Sequence, residues 1–507
     1  MHVVFRESHG LEETETPFDL QQSPADLVVL SFSDSDLGAF AAGWHRGDGK
    51  LPTLRLANLS ALRHPLSVDT YIEQTLEGAK GILIRLIGGY AYWSYGLQQV
   101  EILCRAKGIA LAVLPADGRP DTRLDEVSTL PVSTLRRLSH LCDQGGEVAA
   151  QAALAQLSLA AGLYAGPVRG AKGVPSVGAW TPEHGVTCPL AAFAPDSNKP
   201  RVLISFYRAY LTSADMSPIE ALFESLRPKG YDVIAIFAPS LKAPDAATWL
   251  RRQTLALKPD AIINATSFSG KGADGTSPLD AAGVPVFQVA LSTSRRKAWD
   301  EEERGLSPTD LAMHVVLPEV DGRIFSGVTS FKEPRKKDHD LQFARFAHRV
   351  EPARIKAITN RVVRWINLSK NKPSGMTPVI VLSTYPGKDW QMAHAVGLDA
   401  IASTDAILDD LGKAGWSTKA DKPLESSLTQ ETITWSINDY QTALGTLPQS
   451  LQDDLSSAWG DPTTDPAVRH GTLHFSATRR GAALIALQPE RGERDAREDD
   501  YHDLARV

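Results

Sequence analysis

The segment richest in groups that could do chemistry is R-L-I-G-G-Y-A-Y-W-S-Y-G at Arg85–Gly96. It follows a short apolar run, and its paired glycines permit a tight turn with positive φ. Tyr92 and Trp93 would then stand together beside the guanidinium of Arg85. Aromatic faces stack on planar groups, and a guanidinium pairs with carboxylates or amides, so this segment could bind a large flat ligand. The alternative is that its aromatic side chains cap the core of a domain.

Three more segments concentrate polar side chains. His64 lies in L-R-H-P-L-S-V-D-T-Y at Leu62–Tyr71, and Arg208 follows another apolar run, in S-F-Y-R-A-Y-L-T-S-A-D. Arg208 could hold an anionic ligand, or it could pair with Asp215 or Glu220 in a structural ion pair. Leu317–Arg323 contains two carboxylates and an arginine, which would suit metal binding, acid–base work or a polar turn between domains. The candidate substrate-binding residues are therefore His64, Arg85, Tyr92, Trp93 and Arg208.

The sequence lacks the complete motifs of several well-defined catalytic and binding sites. The loop at Asn264–Gly275 resembles a phosphate loop, but Ala265 and Gly272 occupy positions where a Walker A motif needs glycine and a hydroxyl residue. We therefore predict a surface or cleft-lining loop there. His470 and His474 are four residues apart, but the alternation in R-H-G-T-L-H-F predicts a strand without an evident third metal ligand. The sequence contains neither G-x-S-x-G nor H-E-x-x-H.

The elements that would position these groups alternate between short apolar runs and helix-like segments. This alternation predicts an α/β fold with several parallel-sheet, Rossmann-like layers, followed by a helical or α+β third region. Ser33 or Asp34 could cap the first helix. The predicted strands are Asp26–Phe32, Gly81–Arg85, Ile109–Leu114, Arg201–Phe206, Tyr231–Phe237, Ala261–Asn264, Val284–Val289, Pro378–Leu382 and Ala482–Leu487, and the predicted helices are Val148–Tyr164, Pro218–Leu226, Ala246–Ala256 and Ala353–Leu368.

Composition breaks suggest where the domains divide. The expected organisation is an N-terminal α/β domain at residues 1–165, a linker rich in Gly, Pro and Ser at 166–200, a second α/β domain at 201–332, and a third region at 333–507. The charged run F-K-E-P-R-K-K-D-H-D at Phe331–Asp340 marks the last boundary. A chain of 507 residues suits about three such domains.

Bulk properties exclude some classes of function. The formal net charge is −7, which argues against a nucleic-acid partner, since such proteins usually carry a basic surface. Three widely spaced cysteines form neither a CxxC pair nor a disulfide framework, which fits a reducing compartment. We expect a cytoplasmic protein, because the sequence contains no signal-peptide pattern and no membrane-spanning apolar run.

Nine segments, in order along the chain, are similar to the family of CobN and magnesium chelatase H subunits. The cobalt branch is matched best in the first domain, by L-S-F-S-D-S-D-L at Leu30–Leu37, R-L-A-N-L-S-A-L-R-H-P-L-S-V-D-T-Y at Arg55–Tyr71 and G-G-Y-A-Y-W-S-Y-G at Gly88–Gly96. The resemblance continues through Phe206–Leu211, Ile262–Ser269, Pro285–Val289, Arg304–Ile324, Val396–Asp399 and Ala486–Gly492.

This resemblance implies a subunit of an ATP-dependent cobaltochelatase that binds hydrogenobyrinic acid a,c-diamide and receives Co²⁺ as the substrate metal, in aerobic cobalamin biosynthesis. It implies that ATP and Mg²⁺ are used by separate AAA+-type partners of the CobS and CobT kind. That division of labour agrees with the incomplete phosphate loop. Metal insertion would require distortion of the ring and removal of two pyrrole protons, which general bases in a shielded cavity would assist.

The chain departs from the family in two places. Thr384 replaces an asparagine that usually precedes Y-P, and Tyr385–Val396 lacks the usual Arg/Asn/Gly-rich turn. The family's later H-G-x-x-E and L-P-G-K-type segments are absent, so the catalytic residues are expected beyond Val507. We therefore expect a fragment, a truncated product or a split subunit that is inactive alone. The alternatives are a magnesium chelatase H-type subunit acting on protoporphyrin IX, and a non-catalytic module that binds a tetrapyrrole or docks partners.

Overall fold

The computed structural model describes residues 17–117, 119, 121–170, 173–187, 199–272, 274–383 and 397–489. Cys188 and the departing segment at residues 384–396 lie outside these ranges, as does the end of the chain from residue 490. The chain divides into two compact units, Met1–Ile366 and Asn367–Val507. The predicted α/β class with parallel sheets is confirmed.

The first layer of unit one is a parallel four-stranded sheet in the order β2-β1-β3-β4. Its strands are buried on both faces, which explains why they form continuous Leu/Ile/Val runs in the sequence. Helix α1 begins after Ser33, whose Oγ accepts from the backbone N–H of Asp36, as predicted. The elements are β1 Leu27–Ser31, α1 Asp34–Arg46, β2 Leu54–Asn58, α2 Pro65–Gln74, β3 Gly81–Leu86, α3 Ser94–Lys107, β4 Ala110–Pro115, α4 Thr122–Val127, α5 Val132–Gln144 and α6 Gly146–Ala160.

The second layer of unit one is an eight-stranded sheet in the order β12-β11-β10-β9-β7-β8-β5-β6. Strands β7 to β11 are parallel, and antiparallel strands close both edges. The elements are β5 Gly178–Thr181, β6 Gly185–Thr187, β7 Arg201–Tyr207, α7 Arg208–Thr212, α8 Ser217–Leu226, β8 Asp232–Ala238, α9 Pro244–Leu257, β9 Ala261–Asn264, β10 Val286–Leu291, α10 Arg296–Glu301, α11 Pro308–Leu311, a π-helical turn Ala312–Val316, α12 Leu317–Val320, β11 Ile324–Pro334, β12 Phe346–Val350 and α13 Pro352–Lys370.

Each of these sheets has one crevice where the chain reverses its direction of winding. In the first sheet, β2 and β3 flank β1 on opposite sides, so the crevice opens between the carboxyl ends of β1 and β3. In the second sheet, β8 and β9 flank β7 in the same way. Open α/β sheets bind their ligands at such switch points, so these two edges are the places to examine for a site.

The expected domain boundaries differ from the observed contacts. Part of the 166–200 stretch forms β5 and β6, and β5 pairs with β8. Residue 332 lies inside β11, and β12 beyond it belongs to the same sheet. Helix α13 also packs on this sheet through an apolar stripe at Ile355, Ile358, Val362 and Ile366. The charged run therefore does not end the second layer, because β12 and α13, which follow it in the chain, still belong to that layer.

Unit two contains a smaller mixed sheet in the order β13-β17-β16-β14, with β15 paired to β16. Leu408, Leu424, Leu428 and Ile485 are buried in its core. Its elements are β13 Val379–Leu382, α14 Ala400–Lys413, α15 Leu424–Gln430, β14 Thr432–Ser436, α16 Ile437–Leu444, α17 Gln449–Trp459, β15 Val468–Arg469, β16 Thr472–Arg480 and β17 Ala483–Leu487. Within the described ranges, no helix combines the length and the apolar character needed to cross a membrane.

Candidate functional site at the sheet edges

An aromatic rim lies at the switch point of the first sheet. Tyr92 is 55% exposed, and its ring meets the ring of Phe32 edge-to-face, with the centroids 5.0 Å apart. The guanidinium carbon of Arg63 lies 5.9 Å from the centre of the Phe32 ring. Phe32 follows β1 and Tyr92 follows β3, so the two rings come together because their strands are neighbours. This rim could present flat apolar surface and one cation to a ligand.

The loop that carries Tyr92 is fixed by backbone hydrogen bonds. Gly88 and Gly89 have φ of 89° and 73°, as the sequence predicts for this turn. The N–H of Gly88 donates to Asp117 at 3.2 Å, and the N–H of Tyr90 donates to Asp121 at 3.1 Å. A side-chain hydrogen bond from Arg123 lowers the pKa of Asp121 to about 2, so this acceptor stays ionised at neutral pH.

Trp93 and His64 have structural contacts that the sequence did not reveal. Trp93 is buried, and its Nε1 donates to the carbonyl of Leu62 at 2.7 Å, which ties the β3 loop to the β2 loop. His64 caps α2, because its Nδ1 accepts from the N–H of Leu66 at 3.1 Å. His64 is half-buried and adjoins Arg63 in the rim. Trp93 therefore anchors the site from beneath, whereas Tyr92 lies at its surface.

Arg85 is an internal cation at the end of β3. Its side chain is 5% exposed, and it pairs with Asp36 at 3.1 Å and Asp143 at 3.3 Å. Burial acts to lower the pKa of Arg85, but Asp36, Cys142 and Asp143 together raise it above its usual value. These carboxylates, from α1 and α5, already neutralise the charge that we expected a ligand to meet.

Arg208, the other predicted cation, joins the two layers of unit one. It donates to three backbone carbonyls, those of Val174 and Gln144 through Nη2 and that of Pro175 through Nε, at 2.8–3.0 Å. Gln144 is the last residue of α5, where a helix end attracts positive charge. Arg208 pairs with neither Asp215 nor Glu220, and burial lowers its pKa. The carboxyl edge of β7 therefore adjoins the α5 end beside Arg85 and Asp143.

The hairpin loop between β11 and β12 makes a second connection between the layers. Arg345 donates to the carbonyls of Ser213 and Ala214, each at 2.7 Å. A Cβ added at Gly38 in α1 would lie 2.8 Å from Nε of Arg345, so a larger residue at this position would displace the Arg345 side chain. Leu341 is 1% exposed and buried in the core of the first layer. The same hairpin thus contacts both layers of unit one.

A buried polar network, which the sequence analysis missed, lies at the carboxyl edge of the second sheet. Asp215 is 3% exposed; it accepts from the N–H of His348 at 3.0 Å and from Nζ of Lys332 at 3.1 Å. Burial acts to raise the pKa of Asp215, but His348, Lys332 and Arg345 lower it below its usual value. The carboxylate therefore remains ionised within the protein.

His348 is neutral at physiological pH. It is 4% exposed, its Nδ1 lies 3.0 Å from Oγ of Ser330, and its ring centre lies 5.7 Å from that of Tyr210. Burial lowers the pKa of His348 to about 3, and nearby Asp215 only partly opposes this. Burial and Asp215 also raise the pKa of Tyr210. These shifts move the pKa values of Asp215, His348 and Tyr210 further from neutrality, so the three groups keep fixed protonation states and suit a structural network better than proton transfer.

A second buried carboxylate, that of Asp310, accepts hydrogen bonds from the turn that follows β10. It is fully buried and accepts from Oγ of Ser292 at 2.7 Å and from the N–H and Oγ1 of Thr293, both at 3.0 Å. His314, one turn further along, has Nε2 3.7 Å from Asp310. The signal that could have found this network is the spacing D-L-A-M-H together with S-T-S, which follows the predicted strand Val284–Val289 after two intervening residues.

The remaining chemical candidates do not form a site among the described residues. His474 lies in β16, as predicted, but His470 precedes that strand in a turn with φ of 52°, so the two do not share a strand face. Within the described ranges, no group of three or more His, Cys, Asp or Glu side chains could hold a metal ion. In the segment Leu317–Arg323, Arg323 pairs with Asp280 at 2.5 Å, and Asp321 accepts from the loop at 269–270.

Two surface clefts of about 470 Å³ each lie elsewhere in unit one. One is bordered by Trp299, Arg354 and Phe325, and the other lies between α8 and α13, beside Glu220 and Glu224. None of the five predicted residues lines either cleft. The sheet edges remain the better candidates, because titratable groups with shifted pKa values converge there.

Two largely parallel sheets with switch-point edges place the chain in the class of layered α/β proteins, which commonly bind their ligands at such edges. A family model described as CobN/Magnesium Chelatase matches residues 141–506, so the chain belongs to this family. More particularly, it is 32% identical to the aerobic cobaltochelatase subunit CobN of Sinorhizobium sp, over 99% of this chain and 41% of that protein. The predicted CobN-type resemblance is confirmed.

Two further comparisons also find relatives of this family. The solved structure of the catalytic subunit of cobaltochelatase from Mycobacterium tuberculosis matches with a TM-score of 0.69 and 26% identity, over 92% of this chain and 39% of that one. The chloroplastic magnesium-chelatase subunit ChlH of Oryza sativa subsp. indica is 24% identical over 59% of this chain and 22% of that protein. The chain therefore spans about two fifths of the cobaltochelatase subunits that it matches.

Proposed function

We propose that this chain is a tetrapyrrole-binding part of an ATP-dependent cobaltochelatase, which inserts Co²⁺ into hydrogenobyrinic acid a,c-diamide in the cytoplasm. The observation that carries the proposal is the extent of the match. Similarity to a cobaltochelatase subunit spans 99% of the chain, whereas similarity to the rice magnesium-chelatase subunit spans 59%. Co²⁺ is the substrate metal, and ATP and Mg²⁺ act on separate AAA+-type partners of the CobS and CobT kind.

In this proposal the chain's residues bind and orient the ring. Tyr92 and Phe32 offer aromatic faces, with Arg63 and His64 beside them for the ring's polar substituents. Trp93, Arg85 and Arg208 support the edges from within, through the contacts described above. The buried network around His348 holds the adjoining edge through its hydrogen bonds. The residues that would remove the pyrrole protons belong to the remainder of the complex.

A second function, a non-catalytic module that binds the ring or docks the motor subunits, is favoured by one observation. The chain matches 41% of the Sinorhizobium subunit, and this second function assigns metal insertion to residues outside the matched part. Both functions predict ring binding or partner binding, but only the first predicts that the chain takes part in Co²⁺ insertion.

Titration of the full chain with hydrogenobyrinic acid a,c-diamide and with protoporphyrin IX, followed by tryptophan fluorescence, tests the proposal. Capture of CobS- and CobT-type subunits on the immobilised chain runs in parallel. Saturable binding that prefers the corrinoid supports a cobaltochelatase. A preference for the porphyrin supports the magnesium alternative, and partner capture without Co²⁺ insertion in the assembled mixture supports the docking module. Absence of affinity for either ring and for the partners overturns all three.

A further inference from the structure

The loop after β9 displays one aromatic side chain in an unfavourable backbone conformation. Phe268 has φ of 67°, in the left-handed region that aromatic residues rarely occupy, and its side chain is 44% exposed. Strain of this kind persists only where the surroundings enforce it. The loop leaves the sheet beside β7, at the switch point of the second layer.

Hydrogen bonds on both sides of Phe268 enforce this conformation. Before it, Oη of Tyr207 donates to the carbonyl of Ser267 at 2.6 Å, and Nε2 of Gln288 donates to the carbonyl of Thr266 at 2.7 Å. After it, Asp321 accepts from Oγ of Ser269 at 2.7 Å and from the N–H of Gly270 at 2.5 Å. Because these hydrogen bonds fix the backbone before and after Phe268, the residue keeps its positive φ and its side chain stays exposed.

The neighbouring helix is also irregular where it meets Phe268. In the π-helical turn Ala312–Val316, the N–H of Leu317 donates five residues back, to the carbonyl of Ala312. The carbonyl of Met313 instead accepts from the N–H of Phe268 at 2.7 Å. Pro318 explains the irregularity, since proline has no N–H to continue the helical ladder. Single π turns in helices are frequent at functional sites.

The loop and the helix together form a small exposed apolar surface, the Phe268 patch, made of Phe268, Val316, Leu317 and Val320. Residues 268–271 run alongside 313–320, because Nζ of Lys271 donates to the carbonyl of Val320 at 2.8 Å. Four apolar side chains are few compared with the roughly 20–30 residues per side of a standard protein interface. They suffice for one face of a flat ring, and Lys271 adds a cation suited to a carboxylate substituent.

We propose that the Phe268 patch is a second contact surface for the tetrapyrrole, with the Phe268 ring against the macrocycle and Lys271 near one of its carboxylates. This inference rests on the proposed function and adds a specific residue to it, at the second sheet rather than at the rim around Tyr92. The strained backbone fixes the orientation of the Phe268 side chain before the tetrapyrrole binds. Less conformational entropy is therefore lost on binding.

Substitution at Phe268 tests this contact in the full chain, with hydrogenobyrinic acid a,c-diamide as the probe. Phe268→Gly removes the ring and also relieves the positive φ, so the variant should fold with an unfolding midpoint near that of the parent. Its affinity should fall about tenfold, the scale measured for loss of one aromatic stacking partner. Phe268→Trp should restore affinity to within about threefold, because it returns a flat face. Tyr164→Ala removes an 80% exposed aromatic residue elsewhere in unit one and should leave affinity unchanged.

The outcomes separate this inference from the function on which it rests. If the parent chain binds the corrinoid and Phe268→Gly binds it equally well, the patch is not a ring contact, while the proposed function stands. If Phe268→Gly keeps its corrinoid affinity but no longer captures the motor subunits, the patch is a protein interface and the inference is overturned. If the parent chain binds no tetrapyrrole, both proposals fall together.

Discussion

His348 should make the stability of the protein depend on pH between about 7.5 and 5. The free histidine has a pKa of about 6.5, and burial lowers that of His348 to about 3 in the folded protein. Between these two values the unfolded chain binds a proton that the folded protein excludes. The free energy of unfolding therefore rises as pH rises from 3 to 6.5, and it is lost progressively as the solution is acidified.

The size of this effect follows from the two pKa values. At pH 5 the unfolded histidine is 1.5 pH units below its pKa, while the buried ring stays neutral, so the expected loss is about 2 kcal/mol relative to pH 7.5. The groups that surround the ring reinforce or oppose this in known directions. Lys332 and His314 further lower the pKa of His348, whereas Asp215 and Asp310 act to raise it.

Urea unfolding of the full chain at pH 7.5 and pH 5.0 measures this loss. His348→Asn keeps a polar atom near Oγ of Ser330 but does not titrate, so it should lose about 2 kcal/mol less than the parent between the two pH values. His339→Asn is the matched control: His339 is fully exposed, and its replacement should leave the pH dependence as in the parent. An equal pH dependence in His348→Asn and the parent would refute the assignment of a neutral, buried histidine.

Three other outcomes follow from the contacts around the edges. Asp310→Asn replaces one of the two buried acceptor oxygens that Ser292 and Thr293 share by an NH2 donor, so the free energy of unfolding should fall by about 1–3 kcal/mol; an unchanged urea midpoint would contradict the network. Arg208→Met leaves three carbonyls without their donor, so unfolding should become easier by about 2 kcal/mol, whereas the exposed Arg252→Met should change nothing. Burial raises the pKa of Cys142 to about 11 and that of Cys104 to about 12. Peptide mapping after iodoacetamide treatment at pH 8 should therefore show both thiols reacting about a hundredfold slower in the folded chain than in urea, and rapid native labelling would contradict the raised pKa values.

The fold was predictable wherever a strand is a continuous apolar run. Strands β1, β3, β4 and β7 to β10 were predicted close to their observed bounds for this reason. Strand β2 was missed because Arg55 and Asn58 interrupt its apolar pattern. Arg55 is nevertheless buried, since its guanidinium donates to carbonyls of Ser23, Leu54 and Asp340. Asp340 lies 285 residues from Arg55 in the sequence, so no local sequence pattern could have predicted this contact.

The candidate site was predictable in position but not in the role of each residue. The turn at Gly88–Gly89 and the aromatic segment after it were visible as motifs, and Tyr92 is exposed there. The ion pairs of Arg85 could not be predicted from the sequence, because its partners Asp36 and Asp143 are 49 and 58 residues away. The network around His348 was hidden for the same reason, since Asp215 meets it across 133 residues.

The contacts of the arginines bear on how a ring could be recognised. Arg85, Arg208 and Arg345 all lie at the meeting carboxyl edges, yet their donors are directed to carboxylates or carbonyls of the protein itself. A ligand that took any of them would leave buried acceptors unpaired, at a cost of about 1–3 kcal/mol for each acceptor. Recognition at these edges therefore favours the faces of exposed aromatic rings, with Arg63 and Lys271 as the more accessible cations. A ring with several carboxylates would therefore pair those nearest these edges with Arg63 or Lys271 and keep the others in solvent.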